Sequence, residues 1–576
     1  MTLGSFISAA ARGLGLPAES LAPETNAAGV LLEAADPLDW ASIDPHAIGQ
    51  TYQASVPAPG GDGRKRTGAF YTPRGIARFL AREALSLVEG ESEDIPIVMD
   101  PACGCGSLLV EALRHLCEER GASALEVAAG LRGCDRDVAA VSLARLALTV
   151  TAHHLGARGS ELRRVADVLG ANIVAGDVLT NDALAPADCV LMNPPYIRAA
   201  RAGGDREAIR RRFTTAVGAF DLQVPFVELA LGCVRKGGAL GLLTSNKVLV
   251  ADYGRGLKER LAEEATVMRL VDLAECRDAL ANALVSQAIL IAVRRHAPEG
   301  HEVTVMHPRE VGDLATGRAP VVTRRQAALL GARWPALRGG PEEEEIVCRM
   351  TEGEVVRLDS LALVRGGVRG FDYRACGEEL GERTGAPEEM AVLCPGNIRA
   401  YEAPSRGRVR LFGRKWEAPC LRAKPKAISE RLWELFAEPK VVVKGVGARP
   451  TAAWVPGRAA LFVAVWGIWG EKARRWEALA LLNSLPAAWL HYHQLQAARI
   501  PQGSLRIPLS WVASFPVPRQ GVAEAGELAR ELWATVERSR RAELQKQIDR
   551  VVAEAYGLDE AQREVMARAP VRRTQV

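Results

Sequence analysis

Short apolar runs alternate with helix-length amphipathic segments from about residue 67 to 345. The runs are IPIVMD (95–100), GLRGCD (130–135), NIVAGD (172–177), DCVLMN (188–193), GALGLLTS (238–245), TVMRLVDL (266–273) and SQAILIAV (286–293). Several are apolar throughout, as strands buried on both faces read. Segments Leu108–Arg120, Val138–His154, Leu222–Arg235 and Tyr253–Glu263 fit as helices between them. This alternation predicts a doubly wound α/β sheet.

The flanks differ. Residues 1–66 are Ala-rich with helical stretches and close in SVPAPGGDGRKRTG. GGPEEEE (339–345) reads as a linker. From 346 to 520 Trp, Gly, Pro and Arg become frequent, and strand-like runs such as PKVVVKGVG (439–447) follow one another without regular helices. This predicts a separate, mostly β domain. The tail, 521–576, returns to a helical pattern at 526–558.

Composition narrows the class only a little. A net charge of +4 is weak evidence for a nucleic-acid partner, so the distribution of charge must decide. The 11 cysteines are scattered without a CxxC pair, and Cys103 and Cys105 are too close for a zinc pair, so no metal is expected. No apolar run reaches membrane-spanning length, and the first residues lack a basic segment followed by a long apolar one. A reducing cytoplasm is the expected setting, with no membrane partner.

The chemistry gathers at strand ends, where ligands of doubly wound sheets sit. VMDPACGCGS puts Asp100 at a strand end before a Gly-containing turn and a helix, which lets backbone approach a ligand and offers free N–H donors. Asp135 ends the next strand, where a carboxylate can accept two ribose hydroxyls. Asp177 ends the third, placed to accept from an adenine amino group, and Asn193 ends the fourth. A rigid Asn193-Pro194-Pro195-Tyr196 comes next, and then a segment dense in arginine: Arg198, Arg201, Arg206, Arg210, Arg211 and Arg212 against Asp205 and Glu207.

With these residues in order, the chain resembles an S-adenosylmethionine-dependent DNA adenine-N6 methyltransferase of gamma motif order, similar to the modification enzymes of type II restriction systems. TGAFYTPRGIARFL (67–80) resembles the family's first cofactor motif, DPACGCGS (100–107) its Gly-rich loop and NPPY its catalytic motif. Residues 220–261 resemble the family's segment after the catalytic motif, and LDWASIDPHAIGQTYQ (38–53) the helical lead-in of larger members. The resemblance implies a seven-stranded class I methyltransferase sheet over 67–345, a mostly β target-recognition domain over 346–520, and flanking helices. It implies S-adenosyl-L-methionine held by Tyr71, Thr72, Pro73, Asp100, Ala102, Gly104, Gly106, Asp135, Asp177 and Asn193. It also implies double-stranded DNA as partner, with a separate restriction endonuclease or defence subunits beside it.

The chemistry of Asn-Pro-Pro-Tyr follows from the substrate. The lone pair of adenine N6 is delocalised into the ring. The Asn193 oxygen and the Pro194 carbonyl can each accept one N6 hydrogen and draw the nitrogen toward tetrahedral geometry. Proline presets the carbonyl direction, and Tyr196 can stack on a base extruded from the duplex. Arg198, Arg201, Arg210, Arg211 and Arg212 would contact phosphates beside that base. The family places an aromatic before its last strand as a second stacking face; here Leu280, in RDALANALVSQ, stands near that place.

In the C-terminal region Arg365, Arg369, Arg374, Arg399, Arg406, Arg414, Lys415 and Lys444 lie among Tyr373, Tyr401 and Trp416. Arginine can read guanine, and Arg369 and Arg414 are the named DNA candidates. No nuclease carboxylate cluster is evident, so no endonuclease activity is expected. Two alternatives stand beside this: an N-methyltransferase acting on RNA or a protein glutamine, and a non-catalytic DNA-binding defence subunit.

Overall fold

The computed structural model describes residues 3–16, 43–55, 72–88, 94–180, 184–199, 206–218, 220–246, 248, 254–279, 287–331, 339–368, 374–403, 409–495 and 505–569. The chain divides into two compact units, Met1–Pro335 and Ala336–Val576.

The first unit is built on one sheet. Its strands are β1 (Val98–Asp100), β2 (Leu131–Asp135), β3 (Ile173–Ala175), β4 (Ala187–Met192), β5 (Val234–Ser245), β6 (Thr266–Asp272), β7 (Gln287–Val293), β8 (Glu302–Met306) and β9 (Val321–Arg325), in the order β3-β2-β1-β4-β5-β7-β6-β8-β9. β1 to β5 run parallel, and β7 runs against both β5 and β6. The carboxyl ends of β1–β6 therefore share one edge. The seven expected strands are all present, but the sheet has nine. β8 and β9 carry exposed Glu302 and Val321 and a run of polar residues, so neither shows the continuous apolar pattern of a doubly buried strand.

Central strands are buried on both sides. Cys189, Leu191, Leu243, Ile289 and Ile291 face a core shared with the helices Arg74–Leu85, Ser107–Arg120 and Val138–His154. The helix Gln223–Cys233 packs on β4 and β5. Two early helices, Leu3–Gly13 and Pro45–Ser55, join the same core through Phe6, Ile7, Ile48 and Tyr52.

The second unit has a five-stranded sheet in the order Leu363–Gly366, Val465–Trp469, Lys440–Lys444, Ala452–Val455, Tyr401–Glu402. A four-stranded sheet (Leu380–Glu382, Pro419–Leu421, Met390–Leu393, Ala459–Leu461) and a hairpin (Val409–Leu411 with Arg414–Trp416) accompany it. Two expectations are corrected here. Helices Glu430–Ala437, Lys472–Asn483 and Leu485–Gln494 do interrupt the strands; the last two are buried around most of their surface, which erases the amphipathic stripe that would announce them. GGPEEEE is not a linker: Pro341 begins the helix Pro341–Glu352, with Gly340 before it and three glutamates in its first turn. The tail forms the helices Ala523–Ala534 and Arg538–Ala555, and Gln545 of the latter accepts from the buried Tyr401 hydroxyl at 2.8 Å.

Candidate active site at the carboxyl edge of the sheet

The turn after β1 is held from beneath by Asp100. Its Oδ1 accepts the Ala102 N–H at 3.0 Å, and the side chain is 1% exposed. Burial, with Asp135 nearby, pushes its carboxyl up to about 8. Gly104 and Gly106 both have positive φ, +49° and +82°. A Cβ on Gly106 would press on Ala144 at 3.1 Å, whereas the space beside Gly104 is open. The first glycine thus serves a surface that a ligand can approach, and the second serves helix packing. Asp135 ties the turn to β2: its Oδ2 accepts the Gly104 N–H at 2.9 Å and its Oδ1 the Asp137 N–H at 2.9 Å. Asp177 is half-buried, accepts from Leu179 N–H at 3.0 Å and faces Arg136 at 3.5 Å.

At the end of β4, the Asn193 amide nitrogen donates to the Thr72 hydroxyl at 3.0 Å, across 121 residues of sequence. Thr72 is buried and Pro73 caps the helix Arg74–Leu85. The Tyr196 hydroxyl donates to the Leu243 carbonyl of β5 at 3.2 Å, which fixes the ring by its polar end. Burial pushes that hydroxyl's pKa upward, so it stays a donor. The Asn-Pro-Pro-Tyr turn pairs with residues 220–222: Ala199 N–H donates to Phe220 O and Leu222 N–H to Ile197 O. Gln223, buried, then reaches the end of β5, accepting from Thr244 Oγ1 and Ser245 N–H. Asn246 donates to Asp272, at the end of β6, at 2.5 Å.

The arginine-rich segment is partly helical, over Arg206–Arg212. Arg198, Arg206, Arg210 and Arg211 are exposed. Arg210 lies over the Phe220 ring and donates to Gly218 O. Arg212 is half-buried and donates to Val178 O at 3.0 Å, a packing role. Glu228 anchors the turn just beyond this helix, accepting from Thr214 and Thr215 backbone and hydroxyl groups and pairing with Arg260. Against the opposing effect of burial, those bonds hold its carboxyl below the usual range.

The edge thus brings together Thr72, Pro73, Ala102, Gly104, Asp135, Asp177, Asn193, Pro194, Pro195 and Tyr196, with Asp100 and Gly106 supporting the turn from inside. Tyr71, Arg201, Arg369 and Leu280 lie outside the described residues, as do Tyr373 and Arg406. Arg414 belongs to the second unit and is exposed, with Arg365, Arg374, Arg399 and Lys415, whereas Tyr401 is a core residue there. Sequence reading passed over four supports. Tyr52 donates to Asp137 Oδ2 at 2.6 Å, and Asp137 Oδ1 caps the helix Val138–His154. His46 meets Glu111 at 2.7 Å, and Arg74 lies 3.6 Å from the same carboxylate. Gln223 and Glu228 are the others; a polar residue on an otherwise buried helix face was the available signal for all of them.

The strand order β3-β2-β1-β4-β5-β7-β6, with β7 reversed, is that of the class I methyltransferase sheet, and the polar edge lies where that class binds its ligands. More particularly, residues 44–320 match the family model described as N-6 DNA Methylase. It is 28% identical over 236 residues to the Type II methyltransferase M.BanIII of Aneurinibacillus aneurinilyticus, covering 40% of this chain and 39% of that one. It is 26% identical over 313 residues to the Type II methyltransferase M.XhoI of Xanthomonas vasicola, covering 52% and 54%. The matches thus span about half or less of these relatives' own length. Among solved structures, the Type IIL restriction-modification enzyme MmeI, in complex with DNA, is similar in fold with a TM-score of 0.60 at 14% identity, covering 92% of this chain and 82% of that one.

Proposed function

We propose that this protein is a site-specific DNA methyltransferase of gamma motif order, transferring a methyl group to N6 of a flipped-out adenine in a restriction-modification or defence setting. The hydrogen bond between Asn193 and Thr72 carries this reading. It joins the Asn-Pro-Pro-Tyr turn to the motif near the start of the domain, at the edge where Asp135 and Asp177 also lie.

The open space beside Gly104 and the two part-exposed carboxylates fit S-adenosyl-L-methionine. When bound, this cofactor supplies an electrophilic methyl group. Asp135 would accept from its ribose hydroxyls and Asp177 from its adenine amine, and Thr72, Pro73, Ala102 and Gly104 would line its amino-acid end. Each oxygen of Asp135 accepts one backbone N–H, and a carboxylate oxygen has a second lone pair to offer.

The chain's own part in the reaction is to prepare the amine. With the Asn193 amide nitrogen donated to Thr72, the amide oxygen is the acceptor end of the side chain. It and the Pro194 carbonyl each hold one N6 hydrogen, and their attraction grows as positive charge develops on N6. The proton then leaves after transfer, so no strong base is required. Tyr196, tethered at its hydroxyl, offers its face to the extruded base. Arg198, Arg210 and Arg211, exposed at the surface, are the cations we assign to neighbouring phosphates. DNA is the partner, with a separate endonuclease or defence subunit acting on the same sites, in the cytoplasm.

The test is long-read sequencing of plasmid DNA from cells expressing the protein or its Asn193→Ala variant. Adenines modified in one sequence context by wild type alone support the reading. Plasmid left unmodified by purified protein supplied with the cofactor refutes it.

A further inference from the structure

Two strands along from Asn193, the sheet edge carries a polar group that none of the supports described above uses. Gln287 begins β7, and its side chain is buried, at 4% exposure. Its amide nitrogen is shut from solvent, and among the described residues no acceptor meets it in hydrogen-bond geometry. The Tyr196 hydroxyl lies beside it, but a primary amide carries two N–H groups and that oxygen could take one at most. A buried donor left over costs stability, so it points to a ligand that brings the acceptor.

Strand register places this donor. Leu191, Leu243 and Ile289 face the core shared with the helix Arg74–Leu85. Asn193, Ser245 and Gln287 hold the next same-face positions toward the carboxyl edge. Met192 pairs with Leu242, Leu243 with Ile289 and Ser245 with Gln287. From Asn193 to Gln287 is therefore two strand spacings across and two residues along, about 12 Å between Cα atoms. The two side chains and the edge of one base fill such a span. The order β3-β2-β1-β4-β5-β7 also divides the edge at Asn193. Gly104, Asp135 and Asp177 stand at or just beyond the ends of β1, β2 and β3, the half assigned to the cofactor. Gln287 lies in the other half, where Tyr196 is tethered to the Leu243 carbonyl. A base stacked on the Tyr196 ring has an edge above that hydroxyl, next to the Gln287 amide.

We infer that Gln287 reads the extruded adenine: its amide N–H donates to a ring nitrogen flanking C6, N1 or N7, while Asn193 and Pro194 hold N6. Both ring nitrogens carry a lone pair in the plane of the base. The bond therefore fixes the rotation of the base on Tyr196 and aims N6 at the methyl group. The inference rests on the methyltransferase reading and names a residue that orients its substrate.

The duplex site found by plasmid sequencing is synthesised with adenine, 1-deazaadenine or 7-deazaadenine at the target position, each still bearing its amine. Single-turnover methylation is measured for the full-length protein and for Gln287→Met, which keeps the length of the side chain and removes its donors. Gln287→Met should methylate adenine about tenfold more slowly, the scale of one buried hydrogen bond. Cofactor affinity and melting temperature should stay near wild type, because no bond within the protein is lost. One analogue should slow wild type by about the same factor and slow Gln287→Met no further; the comparison cancels any effect of the analogue on pairing or amine reactivity. Analogue losses that are equal in wild type and variant would overturn the inference, as would a variant whose defect is weaker cofactor binding. If Gln287→Met does not fold, wild type decides alone: loss on one analogue supports the contact, and equal rates on all three substrates overturn it. A wild type that methylates adenine without this coupling sinks only the Gln287 contact. One that leaves the adenine duplex unmodified sinks the methyltransferase reading with it.

Discussion

The two units handle polar groups in opposite ways. In Met1–Pro335 the informative side chains sit at the carboxyl edge of a sheet, half-buried, tied to backbone N–H groups at neighbouring strand ends. In Ala336–Val576 comparable groups are sealed inside. The Lys440 ammonium is fully buried and donates to the Phe436, Glu438 and Gly457 carbonyls at 2.7, 2.8 and 3.1 Å. Arg449 is buried against the Asn483 and Ser484 carbonyls, and His491 is fully buried against Trp511. The first arrangement leaves hydrogen-bonding capacity for a ligand. The second consumes it in closing irregular turns and helix ends. A ligand dictates residue types, so the first unit carries readable motifs; carbonyl geometry dictates them in the second, where many residues would serve.

The sharpest way to test that division is to remove an acceptor at the edge. Asn193→Ala should lower the rate of methyl transfer by about 10³-fold, the scale of a lost preorganised hydrogen-bonding group. Cofactor affinity and melting temperature should stay close to wild type, since the residue lies in a turn outside the core. Single-turnover methylation and calorimetric binding measure these separately. Tyr196→Ala should lower the rate less. Equal losses accompanied by loss of cofactor binding would mean that the edge is not where the amine is held.

The counterpart in the second unit is Lys440→Met. It leaves three buried carbonyls without their donor, a loss of about 3 kcal/mol, with no direct effect on the sheet edge of the first unit. The sign of its pH dependence is fixed by burial, which lowers the Lys440 pKa to about 7. A depressed pKa makes wild-type stability fall as pH drops from the ordinary lysine range through about 7. The penalty of the variant should therefore be larger at pH 9 than at pH 6. Hydrogen exchange followed by segment distinguishes the two units; a penalty independent of pH would contradict the buried cation.

Asp100→Asn should show the opposite slope in the first unit. A carboxyl whose folded pKa is raised to about 8 contributes stability at acid pH and loses it between the ordinary carboxylate range and about 8. The amide avoids that loss. The variant should gain over wild type as pH rises from 5 to 8 in the absence of cofactor, while cofactor affinity falls because the turn's acceptor is altered. Parallel pH profiles would show that burial does not hold the Asp100 carboxyl protonated.

The same contrast explains what could be read in advance. The central strands were legible because burial on both faces demands runs such as ILIA and VLM. β8 and β9 were not: β9 is an edge strand that tolerates exposed Val321, and its neighbour β8 begins at exposed Glu302 and carries no continuous apolar run. Asp135, Asp177 and Asn193 were legible because each stands at a strand's carboxyl end or one or two residues beyond it. Glu228 and Gln223 were hidden, because each looks like one polar residue in a helix and meets its partners only after folding. The helices Lys472–Asn483 and Leu485–Gln494 were missed because they are buried around most of their surface, polar Glu477, Asn483 and His491 included, which leaves no amphipathic stripe to read.

The smallest expected effect tests whether the early helices belong to the site. Tyr52 donates to Asp137, the Asp137 N–H donates to Asp135, and Asp135 accepts from Gly104 in the turn after β1. Tyr52→Phe keeps the ring in the core and removes one bond to a charged acceptor, a loss of about 1–2 kcal/mol. If the relay positions the turn, part of that loss appears as weaker cofactor binding, about two- to fivefold, with the rate at saturating cofactor unchanged. If Tyr52 only fastens the helix Pro45–Ser55, the melting temperature falls by the same amount and cofactor affinity does not move. The first result would extend the functional edge into the early helices; the second would confine it to the strand ends, where residue type already announces it.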